Sequence, residues 1–404
     1  MVKRIIKAAP DYLPLSFFEF KKHFFNLITR KEFDLWIEYE KHTRILGYSC
    51  RALFEFCMQY YAKDEIVIVT TPIHHTSFRN IIEEYVKPEN IHIIRLNKNF
   101  NGIEEIPELD KCDLVVITHL FGQDMDLSVL SDFKKKHNCI IIEDRVQGGT
   151  LDLITSSKIA DIPIYSMGMD KRPVALGGGF MYLDKKHEKL IKAAIEAIKS
   201  LPREKTSKRF TDMLKKIPTF LLYNSRIFIF LFIGLFRVAS FFNRKISLLE
   251  FTNSYRSKNP GFNHETYMMK PSQGLLKSMY KNFDNYEKME KLFEKKYSIF
   301  IESLSPEIIP YFFPWYRGVN SLSAYNTIYI EEHLVGQFLE FLNEEDMSCI
   351  ANPTYKVFNF PYASKEADIR FNNGIVYIPS TANMKKREIK YLANKLDEFY
   401  NNVK

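Results

Sequence analysis

The sequence has few cysteines and no pair of them at metal-binding spacing. Five cysteines occur among 404 residues, and none of them forms a C-x-x-C motif. The small, odd number argues against a disulfide framework, and the missing motif argues against a zinc ribbon, so we expect a reducing, cytoplasmic environment. The basic N-terminal stretch lacks the apolar core and the cleavage site of a secretory signal, so export is not expected.

A long apolar run is also missing. The most conspicuous one, Ile227–Phe236, has ten residues between Arg226 and Arg237, whereas a bilayer-spanning helix needs about 20. Two interpretations are open. The segment is a helix buried in the protein or in a dimer interface, or residues 227–242 lie in a membrane interface, where the flanking basic residues would favour peripheral contact.

Apolar and aromatic residues, by contrast, are abundant. The hydrophobic fraction is 46%, with 34 Phe and 23 Tyr, which is enough for a large core divided over two or three domains of roughly 150 residues each. Lys and Arg exceed Asp and Glu by 57 to 49, but the two signs are interleaved along the chain, as on solvated helix faces. A nucleic-acid partner is therefore not expected.

Residues from about 50 to 185 alternate between short β-branched runs and helical segments. This pattern is typical of an α/β protein whose mainly parallel central sheet is covered by helices. The last strand follows its predecessor after a glycine-rich turn, so we expect an antiparallel strand at the edge of the sheet. The predicted strands are Glu65–Thr70, His92–Leu96, Leu114–Thr118, Cys139–Glu143, Ile162–Ser166 and Gly179–Leu183, and the predicted crossover helices are Ser77–Val86 and Leu127–His137.

We divide the chain into an N-terminal segment (1–47), a large domain (48–250) and a smaller C-terminal α+β domain (251–404). Residues 187–250 are helical in pattern, first basic and then apolar, and residues 253–263 resemble a polar linker. Helical and strand-like patterns alternate in the smaller domain. Its predicted elements are helix Gln273–Ser298, strand Asn326–Glu331, helix Leu334–Asn343, strand Ile375–Ile378 and helix Met384–Tyr400.

Polar residues follow two of the predicted strands. Asp144 ends one apolar strand, and Gln147 comes three residues later. Lys171 lies in the turn after the next strand, five residues beyond Ser166. Ligands of open α/β sheets gather at the carboxyl ends of the strands. A strand-end carboxylate is commonly a cap and a turn lysine is commonly exposed, but together they form a candidate Schiff-base site. The glycines at 177–179 lead into a strand, so they are not a dinucleotide-binding fingerprint.

Three motifs give these residues a more specific meaning. They are residues 118–126 (THLFGQDMD), 140–149 (IIIEDRVQGG) and 165–179 (YSMGMDKRPVALGGG), in that order. They are similar to the H-L-Y-G-x-x-x-D-M, V-I-E-D-A-A-Q-A and F-S-F-x-x-x-K-x-x-x-x-x-x-G-G segments of the DegT/DnrJ/EryC1/StrS family of sugar aminotransferases. The tail from Gly374 to Phe399 resembles the family's final strand and helix.

The resemblance implies a fold-type-I enzyme that uses pyridoxal 5′-phosphate (PLP). Such an enzyme transfers an amino group from an amino acid, expected to be glutamate, to a nucleotide-linked keto sugar, and it works as a homodimer. By this resemblance, Lys171 would hold PLP as an internal aldimine and then move the substrate proton. Asp144 would pair with the pyridine nitrogen, and Gln147 would bond near O3′ of the ring.

The phosphate of PLP is expected at the start of a helix. Backbone N–H groups there would bind it together with Ser49, Cys50 and the Ser166 hydroxyl, in the place of the family's G-T-A loop. Arg51 belongs to the same segment. It would pair with the phosphate directly, or it would be an exposed residue of the first helical turn.

Two further contacts follow from the resemblance. His74 would stack on the PLP ring, with His75 as the second choice. Lys270 would replace the family's N-Y-R segment, which reaches into the site of the neighbouring subunit. A histidine pair can also indicate a metal, but no third ligand stands at helical spacing, so no metal is expected.

Some residues depart from the family pattern. Arg145 stands beside Asp144 where the family has a small residue, Asp170 and Arg172 flank Lys171, and the apolar segment 227–242 has no family counterpart. These departures support a second hypothesis. The protein would then be non-catalytic or regulatory, keeping the fold and using the apolar helix to bind a membrane or a partner.

Overall fold

The short β-branched runs of the sequence form strands in the computed structural model. The structure describes residues 17–29, 31–62, 65–120, 124–147, 159–168, 171, 175–224, 231, 234–235, 238, 263–283, 286–316, 326–345, 347, 349–352, 355–358, 366–379, 381 and 384–404. Of the apolar segment 227–242, only 231, 234, 235 and 238 fall in these ranges, and they are helical. Within the described ranges, every helix is too short or too polar to cross a bilayer.

Three of the predicted strands, Leu114–Thr118, Ile162–Ser166 and Ile375–Ile378, have the predicted bounds, and the others differ in length or position. The described strands follow the predicted order along the chain, with further strands among them. They are β1 (Trp36–Glu38), β2 (His42–Gly47), β3 (Ile68–Thr70), β4 (Ile73–His75), β5 (Ile91–Ile93), β6 (Arg95–Leu96), β7 (Ile103–Glu105), β8 (Leu114–Thr118), β9 (Ile140–Asp144), β10 (Ile162–Ser166), β11 (Gly179–Asp184), β12 (Asn326–Tyr329), β13 (Ile350–Ala351), β14 (Tyr355–Val357) and β15 (Ile375–Ile378).

The described α-helices lie before, between and after these strands, and five of them follow one another between β11 and β12. They are α1 (Phe17–Asn26), α2 (Cys50–Tyr61), α3 (Thr76–Tyr85), α4 (Leu130–His137), α5 (Glu188–Ser200), α6 (Thr206–Asn224), α7 (Gln273–Phe283), α8 (Tyr286–Ile301), α9 (Ile309–Phe312), α10 (Val335–Glu344), α11 (Glu366–Asn373) and α12 (Lys386–Val403).

Eight of the described strands form the central sheet, in the order β1-β2-β11-β10-β9-β8-β3-β5. The five strands from β10 to β5 run parallel to one another. Strands β8 and β9 are buried along nearly their whole length, as expected of strands covered on both faces. The predicted α/β class and the mainly parallel sheet are confirmed.

The predicted position of β11 at the sheet edge is wrong. This strand is antiparallel to β10, as predicted, but β2 pairs with its other side, from Gly179↔Gly47 to Asp184↔His42. Strand β2 was not predicted, because Arg44 interrupts its apolar pattern. Arg44 is buried by aromatic side chains: its Nε donates to Tyr182 Oη at 2.8 Å, and its guanidinium lies 3.8 Å from the Phe283 ring centroid.

Two hydrophobic cores lie on either side of the predicted small-domain helix Gln273–Ser298, and the predicted boundary at residue 251 stays a prediction. Helix α7, the first part of that predicted helix, packs into the first core through Leu275, Leu276 and Met279. The second core begins with α8 and surrounds a three-stranded sheet, β12-β15-β13. Ile73 and Leu120 of the large domain pack into it, and β4 pairs with β14. Hydrogen bonds and apolar contacts therefore join the two domains.

Candidate active site

Asp144 is the last residue of β9 and is almost completely buried. Burial raises the pKa of Asp144 to about 6, while the Val146 N–H, the charges of Lys171 and His119, and a hydrogen bond from Thr118 oppose that rise. The Val146 N–H donates to Asp144 Oδ1 at 3.0 Å. The site therefore holds a carboxylate that is mostly ionised at neutral pH although it is enclosed by protein.

The start of α2 lies next to this carboxylate. Ser49 is the N-cap residue, and its Oγ accepts a hydrogen bond from the Ala52 N–H at 3.2 Å. Cys50 follows, and burial together with Asp144 raises the pKa of its thiol to about 11, against the charges of Arg51 and Lys171 and a hydrogen bond with Ser166. The structure thus brings Asp144, Lys171, Cys50 and Ser166 together at a helix N-terminus, where N–H groups lack intrahelical acceptors.

The turn after Lys171 approaches this helix closely. Gly178 forms a bridge with Ser49, and the Gly178 carbonyl accepts from the Met167 N–H at 2.9 Å. Gly177 and Gly178 have φ values of 131° and 95°, which L-residues rarely adopt. A Cβ on Gly179 would lie 2.8 Å from Cys50 Cα and would also meet Cys50 N. The glycine triplet therefore lets the Lys171 turn pack against the start of α2.

We expect Gly179→Ala to destabilise the protein by about 1–3 kcal/mol and to weaken PLP binding, because the added methyl meets backbone atoms that cannot rotate away. Chemical denaturation and a PLP titration measure the two effects. Gly336→Ala is the matched control, since nothing lies within 4 Å of the Cβ it would add; it should gain about 0.5 kcal/mol as a helical alanine. Equal behaviour of the two variants would contradict the close packing.

Arg209 of α6 forms a hydrogen bond with the same turn. Its Nη1 donates to the Leu176 carbonyl at 2.7 Å, and its Nε pairs with Glu204 Oε1 at 2.5 Å. Ser272 Oγ donates to the second oxygen of Glu204 at 2.8 Å. The guanidinium also lies 5.0 Å from the Tyr48 ring centroid. Arg209 therefore links the turn that follows Lys171 to two other segments of the chain.

Arg209→Lys should weaken PLP binding about tenfold, because a single ammonium cannot bond the Leu176 carbonyl and Glu204 in the same fork geometry. A PLP titration followed by absorbance measures the affinity. Arg44→Lys is the control, since Arg44 is also a buried arginine but lies among aromatic rings away from the turn. It should lose stability and keep the PLP affinity. An unchanged affinity in Arg209→Lys would show that this contact does not shape the site.

Three other predicted residues, Gln147, Arg51 and Lys270, are buried or half-buried. Gln147 is buried, and its Nε2 donates to Tyr377 Oη of the small domain at 3.4 Å. The guanidinium of Arg51 lies 5.2 Å from the Tyr267 ring centroid. The backbone of Lys270 bonds to residues 202 and 204, so this lysine stands beside the Glu204–Arg209 pair. Asp170 and Arg172 lie outside the described residues.

His74 is enclosed by protein and is fully buried. Its Nδ1 lies 2.6 Å from Thr118 Oγ1, and its Nε2 lies 2.7 Å from Thr70 Oγ1 and 3.1 Å from Thr71 Oγ1. The ring meets the edge of Phe358. Burial lowers the pKa of His74 to about 3, so the imidazole is neutral. These contacts place both ring nitrogens at threonine hydroxyls, and the stacking of His74 on PLP stays a prediction.

Arg145, a departure from the family pattern, is buried between two carboxylates. Its Nη2 pairs with Asp124 Oδ1 at 2.6 Å, and its Nη1 pairs with Glu143 Oε2 at 3.2 Å. Adjacent residues of a strand point to opposite faces of the sheet, so the side chains of Glu143 and Asp144 lie on different faces. The charge of Arg145 is thus balanced by acids other than the candidate catalytic carboxylate.

Sequence reasoning missed Thr118 and Arg209. Thr118 carries a detectable signal, because it ends β8 as Asp144 ends β9, and the two are register partners. Arg209 carries no such signal, since it lies in α6 and the turn that it contacts at Leu176 is far away in the sequence.

The donor set fits PLP. A buried carboxylate suits a protonated pyridine nitrogen, a lysine suits an aldehyde, and a helix N-terminus suits a phosphate. Asp144, Lys171 and the Ser49–Arg51 helix start provide these groups at one end of the parallel strands.

No family model and no curated protein matches the sequence. Solved structures do match. Helicobacter pylori PseC, an aminotransferase of pseudoaminic acid biosynthesis, has a TM-score of 0.62 at 12% identity, over 95% of this chain and 96% of PseC. The chain shares the fold of this enzyme. The same holds for Escherichia coli GDP-4-keto-6-deoxy-D-mannose-3-dehydratase with bound hydrated PLP (TM-score 0.61, 11% identity, 97% and 100% covered). Bacillus subtilis NtdA with bound PMP, the amine form of PLP, is a third example (TM-score 0.57, 12% identity, 98% and 85% covered). The predicted fold is confirmed, and at this identity the likeness extends to the fold alone.

Proposed function

We propose that the protein is a PLP-dependent aminotransferase that acts on a nucleotide-linked keto sugar. The observation that carries this proposal is the buried Asp144 carboxylate beside the charge of Lys171 and the start of α2. The names of the structural neighbours support the substrate class, because DesI has a TDP-sugar product and the dehydratase is named for a GDP-linked keto sugar. PseC, an aminotransferase involved in the biosynthesis of pseudoaminic acid, supports the reaction type.

The roles of the residues follow from their positions. When bound, PLP supplies a ring that withdraws electrons from the substrate carbon if its pyridine nitrogen is protonated. Asp144 would hold the proton on that nitrogen, because an ionised carboxylate in a dry site attracts it strongly. The Lys171 amine would bind the aldehyde carbon of the cofactor and afterwards move a proton at the substrate carbon. The first turn of α2 would bind the phosphate.

The distinction from a dehydratase rests on one residue. In the family that the sequence resembles, dehydratases replace the cofactor-binding lysine by histidine, and this chain has Lys171. We therefore propose amino transfer in place of water elimination. Glutamate as donor and a homodimer that uses Lys270 across the subunit interface are the finer parts of the same proposal.

The test begins with the purified protein and PLP. We expect the absorbance of covalently bound cofactor, its conversion by L-glutamate to the spectrum of the aminated cofactor, and reversal by a nucleotide-linked keto sugar with formation of an amino sugar detected by mass spectrometry. A protein that binds no PLP contradicts the enzyme proposal. PLP binding without conversion by any amino donor favours the regulatory hypothesis, and loss of water from the sugar favours a dehydratase.

A further inference from the structure

His74 and Thr118 form a buried connection behind Asp144. Thr118 and Asp144 are the final residues of two adjacent parallel strands and are paired in register. Register partners on parallel strands place their side chains on the same face of the sheet, and the Thr118 hydroxyl lowers the pKa of Asp144. Thr118 Oγ1 lies 2.6 Å from His74 Nδ1. All three side chains are at most 1% exposed. The connection therefore runs from the candidate cofactor-binding carboxylate to an imidazole that solvent does not reach.

We propose that His74, through Thr118, is a positioning residue for Asp144, and that this relay reverses its hydrogen-bond direction when Asp144 gains or loses a proton. The proposal deepens the proposed function and rests on it only for the cofactor atom that Asp144 would face. The relay itself consists of residues of this chain, so it can be tested without PLP.

The first arrangement belongs to ionised Asp144. A carboxylate only accepts hydrogen bonds, so the Thr118 hydroxyl must donate to it. Thr118 Oγ1 then accepts a hydrogen bond from His74 Nδ1–H. Because a protonated Nδ1 cannot also accept one, the Thr118 hydroxyl donates its proton to Asp144. His74 Nε2 becomes an acceptor, and the hydroxyls of Thr70 and Thr71, at 2.7 and 3.1 Å, are available to donate to it.

The second arrangement belongs to protonated Asp144. The carboxylic acid donates to Thr118 Oγ1, and the Thr118 hydroxyl donates to His74 Nδ1. The imidazole proton then resides on Nε2 and is donated to Thr70 Oγ1, whose own proton reaches the Val116 carbonyl at 2.9 Å. The net change is one proton taken up from solvent by Asp144, and the imidazole carries one proton in both arrangements.

The surroundings keep the imidazole neutral in both arrangements. The side chains around His74 are threonine hydroxyls and the Phe358 ring, without a charged group among the described contacts. The charged and titratable groups that act on Asp144 are Lys171, His119 and Cys50. Protonation between about pH 4 and pH 8 therefore changes Asp144 while His74 changes only its tautomer.

The tautomer of His74 in the apoprotein is the direct test. The chain has ten histidines, so the signals of His74 are assigned from ¹⁵N-histidine spectra of the wild type and His74→Phe. We expect the Nδ1–H tautomer at about pH 8 and the Nε2–H tautomer at about pH 4. The Nε2–H tautomer at both pH values would overturn the proposal.

A double-mutant cycle provides the second measurement. His74→Phe and Thr118→Val should each raise the pKa of Asp144, followed by ¹³C NMR of the apoprotein, by about one unit, because each removes the ordered donor to the ionised form. In the Thr118→Val background, His74→Phe should add nothing. His92→Phe, in the edge strand β5 of the central sheet, is the control and should leave the pKa of Asp144 unchanged. Additive shifts would mean that His74 acts only through packing, and they would overturn the relay whether or not the protein binds PLP.

Discussion

Lys171→Ala should abolish the absorbance of covalently bound cofactor and reduce kcat for amino transfer by about 10⁴-fold or more, because it removes both the amine that binds the aldehyde carbon and the base that moves the substrate proton. PLP itself should still bind, though more weakly, through the start of α2 and Asp144. Absorbance spectra and a coupled assay for the amino sugar measure the two effects.

Lys189→Ala is the matched control for this substitution. Lys189 is an exposed lysine of α5 in the same domain, and its removal should leave both the spectrum and kcat unchanged. Added methylamine should restore part of the activity of Lys171→Ala, since a small free amine can replace the lost proton acceptor. Full activity of Lys171→Ala without added amine would refute the assigned role. Circular dichroism checks that Lys171→Ala is folded, so that a loss of activity through unfolding is recognised.

Asp144→Asn should lower kcat by about 10²–10³-fold with a smaller change in PLP affinity. An amide is close to isosteric with the carboxylate, but it carries no negative charge to hold the proton on the pyridine nitrogen. Steady-state kinetics and a PLP titration separate the two effects. A variant that lost PLP affinity while its kcat at saturating PLP stayed normal would assign Asp144 to cofactor binding alone.

The same variant should make the apoprotein more stable at neutral pH. The pKa of Asp144 is about 6 in the folded protein, mainly because of burial, against an ordinary 3.8. A pKa raised on folding means that ionisation disfavours the folded state. The cost is absent below about pH 4, grows through the interval to about pH 6 and is complete above it, reaching about 3 kcal/mol.

Chemical denaturation of the apoprotein at several pH values measures this effect. The stability difference between Asp144→Asn and the wild type should shift in favour of the variant by about 3 kcal/mol between about pH 4 and about pH 8. Asp132→Asn, at a highly exposed position of α4, is the control and should show a nearly flat difference. A flat difference for Asp144→Asn would mean that the carboxylate is not buried as described. Lower activity together with higher stability is the signature of a carboxylate kept ionised for function.

The central sheet could be predicted to the extent that its strands are continuous apolar runs. Strands such as Leu114–Thr118 and Ile140–Asp144 can be recognised because both of their faces are buried, so every position is apolar until the strand end. Strand β2 could not be recognised from the sequence, because its buried Arg44 is stabilised by aromatic rings that lie far away in sequence. The antiparallel direction of β11 was predicted from the glycine-rich turn before it, but its position inside the sheet depends on its pairing with β2.

The candidate site was predictable where chemistry and strand ends coincide. Asp144 and Lys171 follow strands, so their meeting at one edge of the sheet is a consequence of parallel topology. The environment of His74 was not predictable, because residues near a predicted ligand edge can point either to the ligand or into the protein. Arg209 was not predictable either, since its contact joins a helix to a turn without any local pattern.

The sequence by itself determined the α/β class, the succession of the parallel strands along the chain and the few polar residues that end them, because these depend on local periodicity and on where apolar runs stop. The tertiary structure decided which polar groups are buried together. It made Asp144 a carboxylate with a raised pKa, enclosed His74 among threonines and brought Arg209 to the glycine turn. Burial and hydrogen-bond geometry depend on residues distant in sequence, and only the folded chain brings those residues into contact.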